Sequence, residues 1–276
     1  TLDRSSAASD VYKRQILGGM MQEVKEIIKN SNNIVFFGGA GVSTASGLPD
    51  FRSATGLYNK ENNSNYSPEY MLSHEFFQNH PDEFSNYIRE NLMVDGVLPN
   101  DCHFALAKLE KMGKLQGIIT QNIDGLHQKA GSKNVIELHG TLNDYYCTNC
   151  GEKYDFTYAN KFTSTPRCQK CDGIVRPDIV LYGEGLNQDY ISHAINLISH
   201  ADVLIIGGTS LAVYPAAGLI DFYNGNKLIL INKDDTGKES AADFVLKGDI
   251  SKIMKELVED IDDCLLYTSP SPRDVE

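Results

Sequence analysis

Apolar residues recur in two rhythms along this chain. Over residues 21–29, Val24, Ile27 and Ile28 fall at helical spacing, which predicts a short amphipathic helix. Asn32 and Asn33 end it, and Ile34-Val35-Phe36-Phe37 follows as a continuous apolar run closed by glycines. Such a run reads as a parallel strand covered on both faces. Residues 117–120, 203–206 and 228–231 have the same character, while 190–199 and 216–223 read as helices beside them. Strand, helix and strand alternate, which predicts an α/β fold built on a doubly wound, Rossmann-like parallel sheet. Two stretches break the rhythm. Residues 55–98 are aromatic and Asn-rich, with a helix expected over 73–92 and a mobile loop over 62–65. Residues 142–174 are polar and carry four cysteines.

The 276 residues suffice for one large domain with small insertions, and 41% hydrophobic against 22% charged residues marks an ordinary globular chain. A net charge of −12 disfavours nucleic acid as a partner and favours basic peptides. No stretch approaches the roughly 20 apolar residues of a membrane span, so a soluble protein is expected. The ends, TLDRSSAASDVYKRQ and CLLYTSPSPRD, resemble translated sequencing-adaptor read-through. The native part is therefore expected over 16–263, with 1–15 and 264–276 as non-native tails. Trimming them leaves the net charge unchanged.

Cys147-Thr-Asn-Cys150 and Cys168-Gln-Lys-Cys171 are separated by the seventeen residues 151–167. Two such knuckles match a four-thiolate tetrahedral zinc site, and four filled positions leave none for water, so the ion would be structural. The competing reading is two redox or disulfide pairs. The lack of a signal peptide and the metal-like spacing favour a reducing cytoplasm. Cys102 stands alone and is expected to be a small buried residue.

After the first strand comes a glycine-rich turn, whose backbone N–H groups could face a pyrophosphate. Alone it is equally consistent with a tight strand-to-helix turn without ligand. Its continuation, Pro49-Asp50-Phe51-Arg52, adds a rigid residue, an acid, a ring and a cation. At this length, GAGVSTASGLPDFRS over 39–53 resembles the nucleotide-binding loop of the sirtuins, the NAD-dependent deacylases of the silent-information-regulator family. Further segments resemble that family in order: TQNIDGLH over 120–127, ELHG over 137–140, the cysteine knuckles, RPDIVLYGE over 176–184, GGTSLAVYPAA over 207–217, and Ile231-Asn232.

The resemblance implies the zinc-binding module and helical insertion within one catalytic core, and it implies residue roles. His139 would be the general base, acting on a ribose hydroxyl; an imidazole of pKa near 6.5 suits that work. Asp124 would hold the nicotinamide carboxamide between Ala40 and Ile123. Phe51 would cover the sugar, and Arg52, Gln121 and Asn122 would position phosphates and ribose. Gly39, Gly41, Ser43, Gly208, Thr209, Ser210, Asn232 and Lys233 would take the rest of the nucleotide, with Asp249 and Ile250 near adenine. An acyl-lysine peptide would add as a strand between Val180, Tyr182, Gly183 and Glu184 on one side and Val213 and Tyr214 on the other. Taken alone, Asn122 and Asp124 would be turn-formers after a strand, and His127 would be structural, satisfied by a backbone partner.

The family likeness implies a monomeric protein deacylase yielding nicotinamide, free lysine and O-acyl-ADP-ribose. Mono-ADP-ribosyl transfer and a non-catalytic NAD- or ADP-ribose-binding module are the alternatives; both are disfavoured by retention of Asn122, Asp124 and His139. Relatives that remove succinyl groups resemble one another in a Tyr-x-x-Arg pair. Aligned with that pair, this chain has Ser85 and Ile88, with Arg89 one position on and pointing away.

Overall fold

The computed structural model describes residues 18–51, 56–59, 66–93 and 96–261. The chain enters through helix α1 (residues 18–30), whose Val24 and Ile28 are fully buried, and continues into β1 (Ile34–Gly38). Short helices α2 (Pro68–Met71), α3 (His74–Asn79) and α4 (Pro81–Asn91) precede α5 (Asp101–Lys111) and β2 (Leu115–Thr120). Then come α6 (Leu126–Lys129), β3 (Val135–Glu137), β4 (Gly140–Cys147), β5 (Lys153–Asp155), α7 (Phe156–Ala159) and β6 (Val175–Ile179). The last third holds α8 (Gln188–His200), β7 (Val203–Gly207), β8 (Leu228–Asn232), β9 (Phe244–Lys247) and α9 (Ile250–Val258).

Six strands form a parallel sheet in the order β3-β2-β1-β7-β8-β9. The apolar runs work because the inner strands β2, β1, β7 and β8 are covered on both faces. In β1, Ile34 and Phe36 pack with α1, α5 and α9, while Val35 and Phe37 pack with α8 and the 216–222 segment. Strand pleating sends alternate side chains to opposite faces, so an unbroken apolar run feeds two cores at once. Each large side chain so buried contributes about 1.5–3 kcal/mol.

The helix expected over 73–92 is two helices. Pro81 has no N–H to donate and disfavours helical backbone at the residue before it, so His80 turns out of the helix (φ −137°, ψ 57°) and Pro81 starts the next one. The helix expected over 216–223 is a 3-10 helix, Ala216–Phe222, with Gly218 donating to Pro215 O across three residues. Glycine inside a short segment weakens α-helical closure. The loop expected over 62–65 and both tails lie outside the described residues.

A second, antiparallel sheet, β5-β4-β6, carries the cysteines. The α2–α4 segment packs on it through Phe76, Phe77, Phe84 and Ile88 against Leu142, Ile179 and Leu181. No helix among the described residues is long and apolar enough to cross a membrane.

Strand order reverses between β1 and β7, so the loops leaving their C-terminal ends diverge around a crevice. They first touch backbone to backbone: Gly41 N–H donates to Gly208 O at 2.8 Å. Gly208 is left-handed (φ 60°), and a Cβ there would lie 2.5 Å from Val42 N. Replacement of Gly208 by Ala should therefore cost about 2 kcal/mol or more and lower Tm by roughly 4–8 °C. Gly237→Ala, with similar backbone (φ 75°) and open space around it, should cost only the backbone strain of about 1 kcal/mol. Thermal unfolding of the two variants side by side checks the difference.

Candidate active site and zinc centre

The crevice opens into a cavity of about 950 Å³ walled by the loops after β1, β2, β7 and β8 and by the 179–184 segment. Gly39 and Gly41 form its floor with Gly208; a Cβ on Gly39 would meet Thr209 Cβ at 2.8 Å, and one on Gly41 would meet Gly208 Cα at 2.8 Å. This floor is bare backbone, the surface a pyrophosphate can approach closely. The predicted residues Ala40, Phe51, Ile123, Ser210, Val213 and Lys233 also line the cavity. Gln121 donates through Nε2 to Thr209 Oγ1 at 3.0 Å, linking the loops after β2 and β7. Asn232 is turned inward on its own loop, donating to Asp234 O. Asp249 caps α9 through Ser251 N–H, and Ile250 lies at the cavity edge while packing into the core. Arg52 lies outside the described residues.

A polar chain runs through the middle. Asn122 Nδ2 donates to Ser43 Oγ (3.1 Å), and Ser43 Oγ donates to Asp124 Oδ2 (2.6 Å). Asp124 Oδ1 accepts the Leu126 N–H (2.9 Å). Both carboxylate oxygens are thereby oriented, with the Gly39–Ser43 turn keyed to the loop after β2. His139 sits between β3 and β4, and its Nδ1 donates to Gln121 O at 2.9 Å. A carbonyl can only accept, so Nδ1 carries the proton of the neutral ring and Nε2 keeps its lone pair. Burial lowers the His139 pKa from the ordinary value, and the Gln121 carbonyl partly opposes it. The ring is thus a neutral base at neutral pH.

His127 departs from expectation. It is fully buried, and neither ring nitrogen has a partner among the described residues. It packs against the rings of His103 (4.8 Å between centroids) and Phe36 (6.2 Å), because α6 turns this side chain into the core rather than toward a carbonyl. Burial pushes its pKa down to about 3. His103 accepts the Asn100 N–H at Nδ1, and Asn100 Nδ2 donates to Val42 O and Ser46 Oγ, so α5 braces the first loop from behind.

On the open side, Val180 N–H donates to His139 O, and Tyr182 is held between Leu72 O and His74 N–H. Tyr182 and Tyr214 project at 39% and 65% exposure, facing the same cavity with Gly183 and Glu184. Below them the wall is apolar: Leu72, Leu92, Leu142, Ile179 and Leu181, with Asn91 beside Leu92. Neither Asn91 nor Leu92 figured among the sequence candidates; their place at the end of α4 was the available signal. Ile88 is buried in the apolar cluster and Arg89 donates to Thr163 O and Ser164 O, away from the cavity.

Sulfurs of Cys147, Cys150, Cys168 and Cys171 lie within 4.8 Å of one another. The approaches Cys147–Cys171 and Cys150–Cys168 are both 3.5 Å, far from a bonded pair and near the roughly 3.8 Å edge of a tetrahedron with zinc–sulfur distances of about 2.3 Å. Backbone N–H groups of Asn149 and Lys170 and the Tyr154 hydroxyl point at these sulfurs. The set suits one structural zinc ion.

Comparison with known proteins agrees with this geometry. A model described as Sir2 family matches residues 39–215. Proteins named NAD-dependent protein deacetylase from Clostridium perfringens and Clostridium acetobutylicum are 55% and 54% identical over 240 and 239 residues. Those alignments span 87% and 86% of this chain, and 98% of each relative. A solved Sir2 structure with deacetylated p53 peptide and 3'-O-acetyl ADP ribose superimposes with TM-score 0.80 at 39% identity, covering 87% of this chain and 97% of its own. Matched through most of its length in sequence and in fold, the chain belongs to the Sir2 family.

Proposed function

We propose that this protein is an NAD-dependent protein-lysine deacetylase releasing nicotinamide, free lysine and O-acyl-ADP-ribose. The observation that carries the reading is the meeting of Ser43, Asn122, Asp124 and His139, from three separate loops, in one crevice where the sheet reverses. The names of the relatives, and the peptide and acetyl ADP ribose held by the Sir2 structure, support it.

When bound, NAD supplies a nicotinamide–ribose bond to break and ADP-ribose as acyl acceptor. The glycine floor and Ser43, Thr209 and Ser210 would take the phosphates, Asn232 and Lys233 would take the distal part of the nucleotide, and Gln121 and Asn122, with Arg52, would position phosphates and ribose. Asp249 and Ile250 border the adenine. Asp124, its oxygens fixed by Ser43 and Leu126 N–H, holds the carboxamide against Ala40 and Ile123. Phe51 shields the sugar from water. His139 Nε2 accepts a proton from a ribose hydroxyl. The peptide enters as a strand between Val180–Glu184 and Val213–Tyr214, recognised through its backbone.

We assign residues 16–263 to the catalytic core, acting as a monomer on proteins rather than nucleic acid. The net charge of −12 supports the choice of partner. Four thiolates require a reducing setting, which supports the cytoplasm.

His139→Ala should lower deacetylation at least about 1,000-fold while NAD affinity stays within a few-fold, since general-base catalysis contributes of that order. Because burial lowers the folded pKa, the base form persists below the pH at which free imidazole protonates. The acid limb of kcat/KM should accordingly fall at an apparent pKa below about 6.5. Mass spectrometry of O-acetyl-ADP-ribose across pH 5–9 reads both; near wild-type turnover in the variant would refute the base.

The wall at Leu72, Leu92 and Leu142 is apolar and Arg89 is spent on Thr163 O and Ser164 O, so among the described residues of this wall a succinyl carboxylate meets no cationic partner. Acetyl and other uncharged acyl groups should be preferred by at least about 100-fold in kcat/KM, roughly 2.7 kcal/mol. Initial rates on acetylated and succinylated forms of one peptide decide it.

Cys168→Ser should reduce bound zinc and thermal stability together, and a chelator should abolish activity without competing with NAD or peptide. A stable, metal-free wild-type protein would contradict the four-cysteine site.

A further inference from the structure

Glu184 ties three parts of the molecule together. Its Oε1 accepts from Arg176 Nη1 at 2.7 Å and meets His74 Nδ1 at 2.8 Å. Its Oε2 accepts from Arg176 Nη2 at 3.1 Å and from Leu181 N–H at 2.9 Å. Arg176 lies on β6 and is 3% exposed; its guanidinium also donates to Ile179 O at 2.7 Å and rests 4.9 Å from the Phe77 ring. His74 opens α3, and its backbone N–H donates to Tyr182 O. The carboxylate therefore joins β6, the helical insertion and the 180–184 segment.

An ionised carboxylate offers about four lone-pair sites, and four donors occupy them here. Nothing is left with which to read a substrate side chain. Burial pushes the Glu184 carboxyl up, but Arg176, the Leu181 N–H and His74 outweigh it and hold the group below the ordinary carboxylate value. It stays charged and clamped at neutral pH.

We propose that the Glu184 side chain is a positioning group, holding residues 181–184 at the backbone geometry a substrate peptide pairs with, rather than a side-chain contact to the peptide. The inference rests on the deacetylase reading. It also assigns His74 and Arg176 to the same task, though neither lines the main cavity. In backbone-led recognition affinity comes from main-chain hydrogen bonds, so a shifted segment weakens every peptide alike.

The test uses the full chain, NAD and two acetyl-lysine peptides, one flanked by lysines and one by alanines. Wild-type turnover tests the deacetylase reading itself; the variants test only the clamp. Glu184→Gln should raise peptide KM about tenfold for both peptides, with kcat and the KM for NAD changed less than about twofold. His74→Ala, which truncates a side chain that is itself 45% exposed and takes one partner from Glu184, should raise peptide KM about threefold in the same pattern. It decides the matter alone if Glu184→Gln, which strands the buried Arg176 charge, fails to fold. A KM increase confined to the lysine-flanked peptide would make Glu184 a direct reader of substrate charge and overturn the proposal. So would an unchanged peptide KM in His74→Ala, or a parallel loss of kcat and NAD affinity.

Discussion

Everything at this site depends on how closely the loops leaving β1 and β7 approach one another. The Gly41–Gly208 contact leaves no room for a Cβ on either residue. It turns two adjacent parallel strands into a floor of exposed backbone at the point where the sheet order reverses. Parallel strands end with their carbonyls and following N–H groups on one side, so such a floor is available only there. A single side chain in this contact would part the loops and lift Ser43 away from Asp124 and Asn122, to which it is bonded.

Around that floor the titratable groups differ by environment. Asp124 has both oxygens paired with donors, whereas His139 is desolvated and tied through Nδ1 to a carbonyl. In the proposed function the first would hold a neutral amide and the second would take a proton. Behind them, His103 and His127 are kept neutral by burial, their pKa values pushed down to about 4 and about 3. Two uncharged rings back the cavity without adding positive charge beside Asp124.

The open wall is built differently. The zinc-bearing sheet and the α2–α4 segment meet there, and the edge facing the cavity hangs on the ion pair of Arg176 with Glu184. With Arg176 buried and Glu184 partly so, the pair is costly to desolvate and removing the carboxylate is costlier still, so it fixes geometry more than it adds stability. A zinc ion held by the four cysteines would act from further off, by tying together the sheet that β6 belongs to.

Much of this was legible before any coordinates. Doubly buried strands need no polar alternation, so the runs at 34–37, 117–120, 203–206 and 228–231 stood out and fell within β1, β2, β7 and β8. The cysteine spacing carried the metal centre, because ligand geometry is local to each knuckle. Motif order named every cavity residue of the glycine floor and of the Ser43–Asn122–Asp124–His139 group. Other features rest on long-range placement. The break at Pro81 was readable from one residue, yet the expected helix ran through it. The burial of His127 without a hydrogen-bond partner depends on the angle at which α6 leaves its loop. The clamp on Glu184 joins positions 74, 176, 181 and 184, and no local pattern announces it. Sequence periodicity reports which faces a residue must bury; only the folded chain decides which distant donors meet an acceptor, since that is set by packing between elements rather than within them.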